Sequence, residues 1–218
     1  DIRLPLPTYA ARRHEPGPDG VRPHWQRAMR RAVRHGGEVM ELPRLTRREQ
    51  PLPLLVLVDV SGSMERYTRL LLAFLHAATR HHRRRDVFAI GNRLTDLTPA
   101  FRLPDTDDML TAANGLITDF AGGTQLGASL QALRAQHARR LVGRRTLVLL
   151  VSDGLDTGEP EVLNEAMDWM GRRCGRIVWL NPLLRFDGYA PLARGAAALH
   201  RHVHGMLAVH NLSRLEDL

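Results

Sequence analysis

Small oxygen-bearing side chains recur in three separate loops of this sequence. The first loop is Asp59-Val60-Ser61-Gly62-Ser63, the second contains Thr124 and the third contains Asp153. Two carboxylates and three hydroxyls form a set of hard oxygen donors, which suits a small divalent cation at about 2.1 Å in octahedral geometry. Mg²⁺ is the natural occupant, with Mn²⁺ as an alternative. Water or a partner molecule would fill the positions that the protein leaves open.

Glycines accompany each of these loops, at Gly62, Gly122, Gly123 and Gly154. Because glycine has no Cβ, the backbone can turn tightly there and let the hydroxyl groups converge. A polar turn that caps a helix would explain any one of the loops by itself. Three such turns in this order favour a metal site.

Apolar strands are predicted directly before two of the loops, over residues 54–59 and 145–152. Both are runs rich in Val and Leu, typical of strands buried on both faces. Helical spacing of apolar residues follows the first loop, so the pattern there is strand, loop, helix. Strands alternating with helices predict an α/β fold, a doubly wound and mostly parallel sheet flanked by helices. Such sheets bind ligands beyond the carboxyl ends of their strands.

Further elements are predicted along the rest of the chain from apolar periodicity and from capping and turn residues. The additional strands are predicted over 38–42, 86–91, 94–101, 176–180 and 202–209. The additional helices are predicted over 24–35, 105–116, 125–137, 160–173 and 191–199.

The organisation predicted from these elements has three parts. Residues 1–21 carry several prolines and glycines without a period, which predicts an extended arm or linker. Residues 22–52 hold a bracing helix, with Trp25, Met29 and Val33 at helical spacing, and a short strand. Residues 53–218 form the α/β domain. The chain starts with Asp1 and has no leader sequence, so we expect it to be cut from a longer polypeptide.

Charge and composition limit the class of partner that the protein can bind. All 31 cationic side chains are arginine, the formal net charge is +8, and aromatic residues make up only 5%. The arginine pairs are scattered along the sequence, whereas a nucleic-acid surface would interleave aromatic residues with a continuous basic stripe. We therefore expect acidic protein partners and no nucleic acid.

The cysteine count and the hydropathy of the sequence indicate the cellular compartment. Cys174 is the only cysteine, so the chain has no internal disulfide, and we expect it to fill the core, as we do Trp179. No run approaches the roughly 20 apolar residues that a membrane span needs. These features predict a soluble protein in the reducing cytoplasm.

The loop residues resemble the metal-ion-dependent adhesion site of von Willebrand factor A (VWA) domains. Asp59-x-Ser61-x-Ser63, Thr124 and Asp153 match that motif completely. The resemblance implies that the serines and the threonine can ligate the metal directly, while the aspartates often act through water. It also implies that an Asp or Glu of a partner protein supplies the missing ligand.

Other segments, together spanning about residues 27–218, resemble CoxE-type VWA proteins. They are Arg31-Ala32-Val33-Arg34-His35-Gly36-Gly37-Glu38, Asn92-Arg93-Leu94-Thr95, Trp179-Leu180-Asn181-Pro182-Leu183 and Gly188-Tyr189-x-Pro191-Leu192-Ala193-Arg194-Gly195. Proteins of this type work beside MoxR-class AAA+ ATPases in maturing or remodelling client enzymes, among them carbon monoxide dehydrogenase and, in a related arrangement, rubisco. The resemblance therefore implies an adaptor that is not itself an enzyme.

Two further groups of residues have alternative interpretations. His200, His202 and His204 would share one face of the predicted strand, where they could bind zinc or nickel or lie exposed. Asp156 and Glu159 could tune the metal or the partner surface, or belong to a solvated loop.

Two other functional classes remain as alternatives. One is a stand-alone adhesion-type binding module, and the other is a metal-dependent hydrolase with Asp59 or Asp153 as base. Ser61 lacks the Gly-x-Ser-x-Gly context of a hydrolase nucleophile. Neither the Gly-x-Gly-x-x-Gly nor the Gly-x-x-x-x-Gly-Lys-Ser/Thr motif is present, so ATP chemistry must come from a partner.

Overall fold

The computed structural model describes residues 7–39, 41–117, 123–185 and 188–208, in two compact units. The smaller unit covers residues 7–51. Its sheet has the order β1-β3-β2, in which β1 (Thr8–Pro16) and β2 (Arg22–Pro23) both pair antiparallel with β3 (Arg44–Pro51). The predicted arm over 1–21 thus contributes a paired strand from Thr8 onwards, and residues 1–6 lie outside the described part.

Helix α1 (Trp25–Arg34) completes the smaller unit and confirms the predicted helix. Its buried residues are Ala28 and Ala32, whereas Trp25, Met29 and Val33 are exposed, so the apolar stripe does not form the packed face. The short strand predicted over 38–42 is wrong, since its described residues are not in a strand.

The larger unit holds a six-stranded sheet of order β6-β5-β4-β7-β8-β9. All pairs are parallel except β5 with β6. Its strands are β4 (Leu54–Asp59), β5 (Arg85–Ile90), β6 (Leu94–Asp96), β7 (Leu147–Val151), β8 (Arg176–Leu180) and β9 (Gly205–Leu207). This mostly parallel sheet confirms the predicted fold class.

Helices cover both faces of this sheet. They are α2 (Glu65–Thr79), α3 (Thr98–Phe101), α4 (Thr106–Leu116), α5 (Leu126–Leu141), α6 (Pro160–Arg173) and α7 (Arg194–His202). Alternate side chains of β4 face opposite ways: Val56 and Val58 pack in the core with α2, α3 and α4, and Leu57 packs with α5, α6 and α7. Such two-sided burial explains why the strands are continuous apolar runs.

Two predicted strands of the larger unit need correction. The strand predicted over 94–101 ends at Asp96, and α3 follows because Pro99 suits a first helical turn and the Asp96 carboxylate accepts the Thr98 N–H. The strand predicted over 202–209 begins only at Gly205, because α7 continues through His202, and residue 209 lies outside the described part.

Cys174 is buried, as predicted, and burial raises the pKa of its thiol to about 11. Trp179 is fully buried, which confirms its predicted place in the core. In the described part of the chain, no helix combines the length and the apolar character that crossing a membrane requires.

Candidate metal centre

Asp59 is the last residue of β4 and is fully buried. Its Oδ1 accepts the backbone N–H of Ser61 at 2.9 Å and the hydroxyl of Thr124 at 3.3 Å. Its Oδ2 accepts the hydroxyl of Ser152 at 2.7 Å. The carboxylate of Asp59 therefore joins all three predicted loops at the carboxyl end of the sheet.

The two serines of the first loop lie side by side. Ser61 Oγ and Ser63 Oγ are 3.1 Å apart, with Ser61 buried and Ser63 exposed. The chain forms a single 3-10 turn over Gly62–Met64 between β4 and α2. This turn places a second hydroxyl beside the first, on the side that solvent reaches.

Thr124 is buried just before α5, and the second loop is fixed by its neighbours. The Thr124 carbonyl accepts both the backbone N–H and the hydroxyl of Thr157, each at 2.9 Å. The backbone N–H of Gln125 donates to the Gly91 carbonyl at the end of β5. The backbone around Thr124 is thus held from two sides. Gly122 lies outside the described residues.

Asp153 follows β7, and its Oδ1 accepts the Leu155 N–H at 2.9 Å. Its negative charge is near enough to contribute to a raised pKa of Asp59. Gly154 has a φ of +81°, and a Cβ there would lie 2.9 Å from the Trp179 ring. Only glycine fits this turn without displacing the ring, so the residue type follows from both conformation and space.

Ser152 is a site residue that the sequence analysis did not single out. It is fully buried, and its hydroxyl donates to Asp59 while accepting the Gly154 N–H at 2.9 Å. Its carbonyl accepts the indole N–H of Trp179 at 2.8 Å. Since β4 and β7 pair with Val58 opposite Val151, the next residues of the two strands are Asp59 and Ser152. The sequence alone does not give the register between β4 and β7, and that register is what identifies Ser152 as a neighbour of Asp59.

Burial gives the site its electrostatic character. Desolvation raises the pKa of Asp59 above its ordinary value of 3.8, hydrogen bonds from Ser152 and Ser61 oppose the shift, and the charge of Asp153 adds to it. A buried carboxylate with a second one nearby, surrounded by hydroxyls, is a donor set that fits a hard divalent cation.

Asp156 has a structural role. Its Oδ1 accepts the N–H of Leu126, the first residue of α5, at 3.0 Å and that of Gly158 at 3.2 Å. The carboxylate therefore ties the third loop to the start of α5, two residues after Thr124. Glu159 is exposed before α6 and makes no side-chain cap.

The predicted histidine face does not form. His200 and His202 lie in α7, and His204 follows it. His202 Nε2 lies 3.0 Å from Asn164 Oδ1, whereas His204 Nδ1 accepts the Ile177 N–H at 3.0 Å. The alternation expected of a strand is absent because the alanine-rich segment before His200 continues the helix. Among the described residues, no three His, Cys, Asp or Glu side chains form a metal-binding group.

Two of the segments that resemble CoxE-type proteins meet behind the site. The Asn181 amide donates to the Tyr189 hydroxyl at 2.8 Å, and its carbonyl accepts the Leu183 N–H at 2.8 Å. A Cβ on Gly195 would lie 2.6 Å from the Gly154 carbonyl oxygen. Asn181 and Tyr189 therefore join the segment after β8 to the segment before α7, and Gly195 lets the start of α7 approach the third loop.

Comparison with known proteins agrees with this architecture. A family model for VWA-domain-containing CoxE-like proteins matches residues 3–215. No curated protein sequence matches the chain. The von Willebrand factor type A structure from Catenulispora acidiphila aligns with a TM-score of 0.51 at 15% identity, covering 79% of this chain and 42% of that one. That similarity shows the fold.

Two further solved structures contain metals and are more distant. Proximal thread matrix protein 1 from the mussel byssus, with a zinc-occupied MIDAS motif, has a TM-score of 0.46 and 14% identity, with 76% of this chain and 46% of that chain covered. The manganese-loaded TRAP protein of Plasmodium vivax has a TM-score of 0.43 and 19% identity, with 74% and 60% covered. The present chain spans less than half the length of the Catenulispora and mussel proteins.

Proposed function

The chain belongs to the family of CoxE-like proteins that contain a VWA domain, and on that premise we propose that it is an adaptor that recognises protein partners through a divalent cation. The cation is Mg²⁺, with Mn²⁺ as a substitute. The residues proposed to hold it are Asp59, Ser61, Ser63, Thr124 and Asp153.

One observation carries this proposal. The Asp59 carboxylate accepts hydrogen bonds from residues of all three loops, so groups far apart in sequence share one point beyond the sheet. The strands that deliver Asp59 and Asp153 are β4 and β7, which are neighbours in the sheet. After β4 the chain first adds β5 on one side of it, and later adds β7 on its other side. The strand order therefore reverses at β4, and α/β sheets bind ligands at such a reversal.

The chain's own residues support recognition more than catalysis. Asp59 is fully buried and already accepts three hydrogen bonds, so it is poorly placed to take a proton from a substrate. Within the described residues, no histidine forms a hydrogen bond with Ser61 or Ser63 that could activate a nucleophile. We therefore propose that the protein is not an enzyme.

Partner binding depends on an open position at the site. Ser63 is exposed, while Ser61, Thr124 and Asp153 are buried beneath it, so the donors are accessible from one side. A bound cation would supply a Lewis-acidic position for an Asp or Glu of the partner. The buried donors are held by backbone and side-chain hydrogen bonds, which reduces the rearrangement that binding requires.

The partners proposed are a MoxR-class AAA+ ATPase and a client enzyme that the pair matures or remodels. The support is family membership together with the absence of a nucleotide-binding motif from the sequence. Partnership with an ATPase requires ATP, so we place the protein in the cytoplasm.

Co-purification with a co-expressed MoxR-class ATPase tests the proposal. We expect the complex to form in Mg²⁺ and to be lost in EDTA, in Asp59→Ala and in Ser63→Ala. Asp19→Ala, which changes an exposed carboxylate of the smaller unit, is the matched control and should keep the complex. If the ATPase co-purified fully with Ser63→Ala, and also with the parent protein in EDTA, recognition through the metal would be contradicted.

A further inference from the structure

Three arginine pairs that are separated in the sequence come together at the amino end of the parallel sheet. They are Arg139-Arg140 at the end of α5, Arg144-Arg145 in the turn before β7 and Arg172-Arg173 at the end of α6. All six side chains are exposed. The metal centre lies at the opposite end of the same strands, on the order of 16–20 Å away for strands of this length.

Backbone contacts bring the two turns together. The N–H groups of Gly175 and Arg176 both donate to the Thr146 carbonyl, and a Cβ on Gly175 would lie 2.7 Å from the Arg144 carbonyl oxygen. The Thr146 hydroxyl donates to the Leu141 carbonyl at the end of α5. The arginines are therefore carried by a closely packed part of the larger unit.

A recess of about 670 Å³ opens between the ends of α5 and α6. Arg134, Arg139 and Arg173 line it, together with Val142 and Trp169. No carboxylate lines the recess, and none lies within ion-pair distance of these three arginines in the described part of the chain. The nearby pairs, Arg140 with Asp86 and Arg172 with Asp168, use other side chains.

Stabilisation of helix ends explains only some of these arginines. Cations in the last turn interact favourably with the negative end of a helix dipole, and Arg139 and Arg173 occupy such positions. Arg134 lies two turns before the end of α5, and its guanidinium lies over the Trp169 ring, 5.5 Å from the centroid. That contact holds the guanidinium at the edge of the recess.

We propose that this recess is a second docking site, which binds an acidic segment of a partner protein. Guanidinium groups pair with carboxylates through two parallel hydrogen bonds. The half-buried Val142 also lines the recess, where it can contact an apolar side chain of the segment. A single-stranded nucleic acid would need an exposed aromatic face for its bases, but Trp169 is buried and covered by Arg134. An acidic peptide therefore fits this recess better than a single-stranded nucleic acid does.

Fluorescence anisotropy with a labelled glutamate-rich peptide containing one central leucine tests the proposal. We expect binding that weakens with added salt and that becomes about tenfold weaker in Arg139→Gln/Arg173→Gln, because two exposed ion pairs are lost. Arg30→Gln/Arg34→Gln is the matched control, since it removes two exposed arginines of α1 and the same charge. It should leave the affinity nearly unchanged.

Two further measurements distinguish peptide binding in the recess from binding at the metal centre and from nucleic-acid binding. EDTA should not alter the affinity for the peptide, because the recess lies at the opposite end of the sheet from the metal centre. A single-stranded oligonucleotide of equal charge should bind more weakly than the peptide. Three results would overturn the proposal: no peptide binding, an equal loss in both double variants, or tighter binding of the oligonucleotide through the same arginines.

Discussion

The hydroxyl of Ser152 donates a 2.7 Å hydrogen bond to the buried carboxylate of Asp59. The two residues are 93 positions apart in the sequence: Asp59 is the last residue of β4, and Ser152 directly follows the neighbouring strand β7. Because the indole of Trp179 also donates to the Ser152 carbonyl, the fully buried side chain of β8 positions the group that holds Asp59. The candidate metal centre is therefore supported by buried core residues.

Replacing Ser152 with alanine tests this support. The change removes a hydrogen bond to a buried charged group and leaves the Gly154 N–H without its acceptor. We expect the free energy of unfolding in EDTA to fall by about 2 kcal/mol. Urea denaturation measures it, with Ser129→Ala as control, because the hydroxyl of that buried serine makes a long, 3.5 Å bond to the Gly91 carbonyl. Equal losses in the two variants would mean that the bond to Asp59 adds nothing.

Asp59→Asn tests the electrostatic cost of the site. Burial raises the pKa of Asp59 above 3.8, so the ionised carboxylate destabilises the metal-free fold at neutral pH. That cost diminishes as the pH falls through the raised pKa of the folded state towards 3.8, the unfolded value. In EDTA, Asp59→Asn should therefore be the more stable protein near pH 7, by a margin that shrinks on acidification. Denaturation across this pH range measures the margin, and one that grew on acidification would contradict the sign.

The sequence identified the buried strands and the three loops because their signals are local. Runs of Val and Leu mark β4 and β7, and small polar residues with glycine mark the turns after them. Strand β3 was missed because its residues do not alternate between apolar and polar, and none of them is fully buried. Strand β3 forms by pairing with β1, and the apolar pattern of the sequence does not predict that pairing.

The contacts of the site residues needed the fold. In the sequence, nothing distinguishes Ser152 from any other serine that follows a strand. The register of β7 with β4 is what places it beside Asp59. The sequence allows Asp156 to tune the metal or to belong to a solvated loop, yet its carboxylate accepts the first N–H of α5. Both assignments depend on residues at least 30 positions away, which periodicity does not detect.

Metal binding itself gives a further prediction. The site should bind one Mg²⁺ or Mn²⁺ weakly, because only two of its five proposed donors carry charge. Titration calorimetry should show one-to-one binding that Asp153→Ala abolishes. Ser63→Ala should also lose affinity while leaving the metal-free fold within about 1 kcal/mol, since its hydroxyl belongs to an exposed residue and, among the described residues, is hydrogen-bonded only to Ser61. Unchanged affinity in Asp153→Ala would remove that residue from the site.

Gly154 should tolerate no side chain. Alanine there adopts an unfavourable positive φ and brings a Cβ within 2.9 Å of both the Trp179 ring and Ala196. Gly188 has a similar φ of +79° but nothing within 4 Å of its Cβ position, so Gly188→Ala measures the conformational cost alone. We expect Gly154→Ala to lower the unfolding free energy by about 1–3 kcal/mol more than the control, because of overpacking. Equal costs would show that the loop can move away from the ring.

An Asp or Glu of the partner is proposed to complete the coordination of the cation. If a partner Asp or Glu binds at the cation, then removing that carboxylate and removing Asp59 break the same link. The losses of binding free energy caused by the two changes should therefore not be additive. Once Asp59→Ala has weakened binding, neutralising the partner residue should weaken it little further. Independent contacts would instead give the sum of the two losses.

A double-mutant cycle on the complex, read by titration calorimetry, measures this coupling. The partner residue is the Asp or Glu whose neutralisation reduces binding to the level seen in EDTA. Arg30→Gln, remote in sequence from the metal loops and exposed, should combine additively with the same partner change. Coupling of about 1 kcal/mol or more with Asp59 and none with Arg30 is expected, because charged groups that meet at a shared site are energetically linked. Additive losses for Asp59 would mean that the partner's carboxylate binds elsewhere, even if the complex still required the metal.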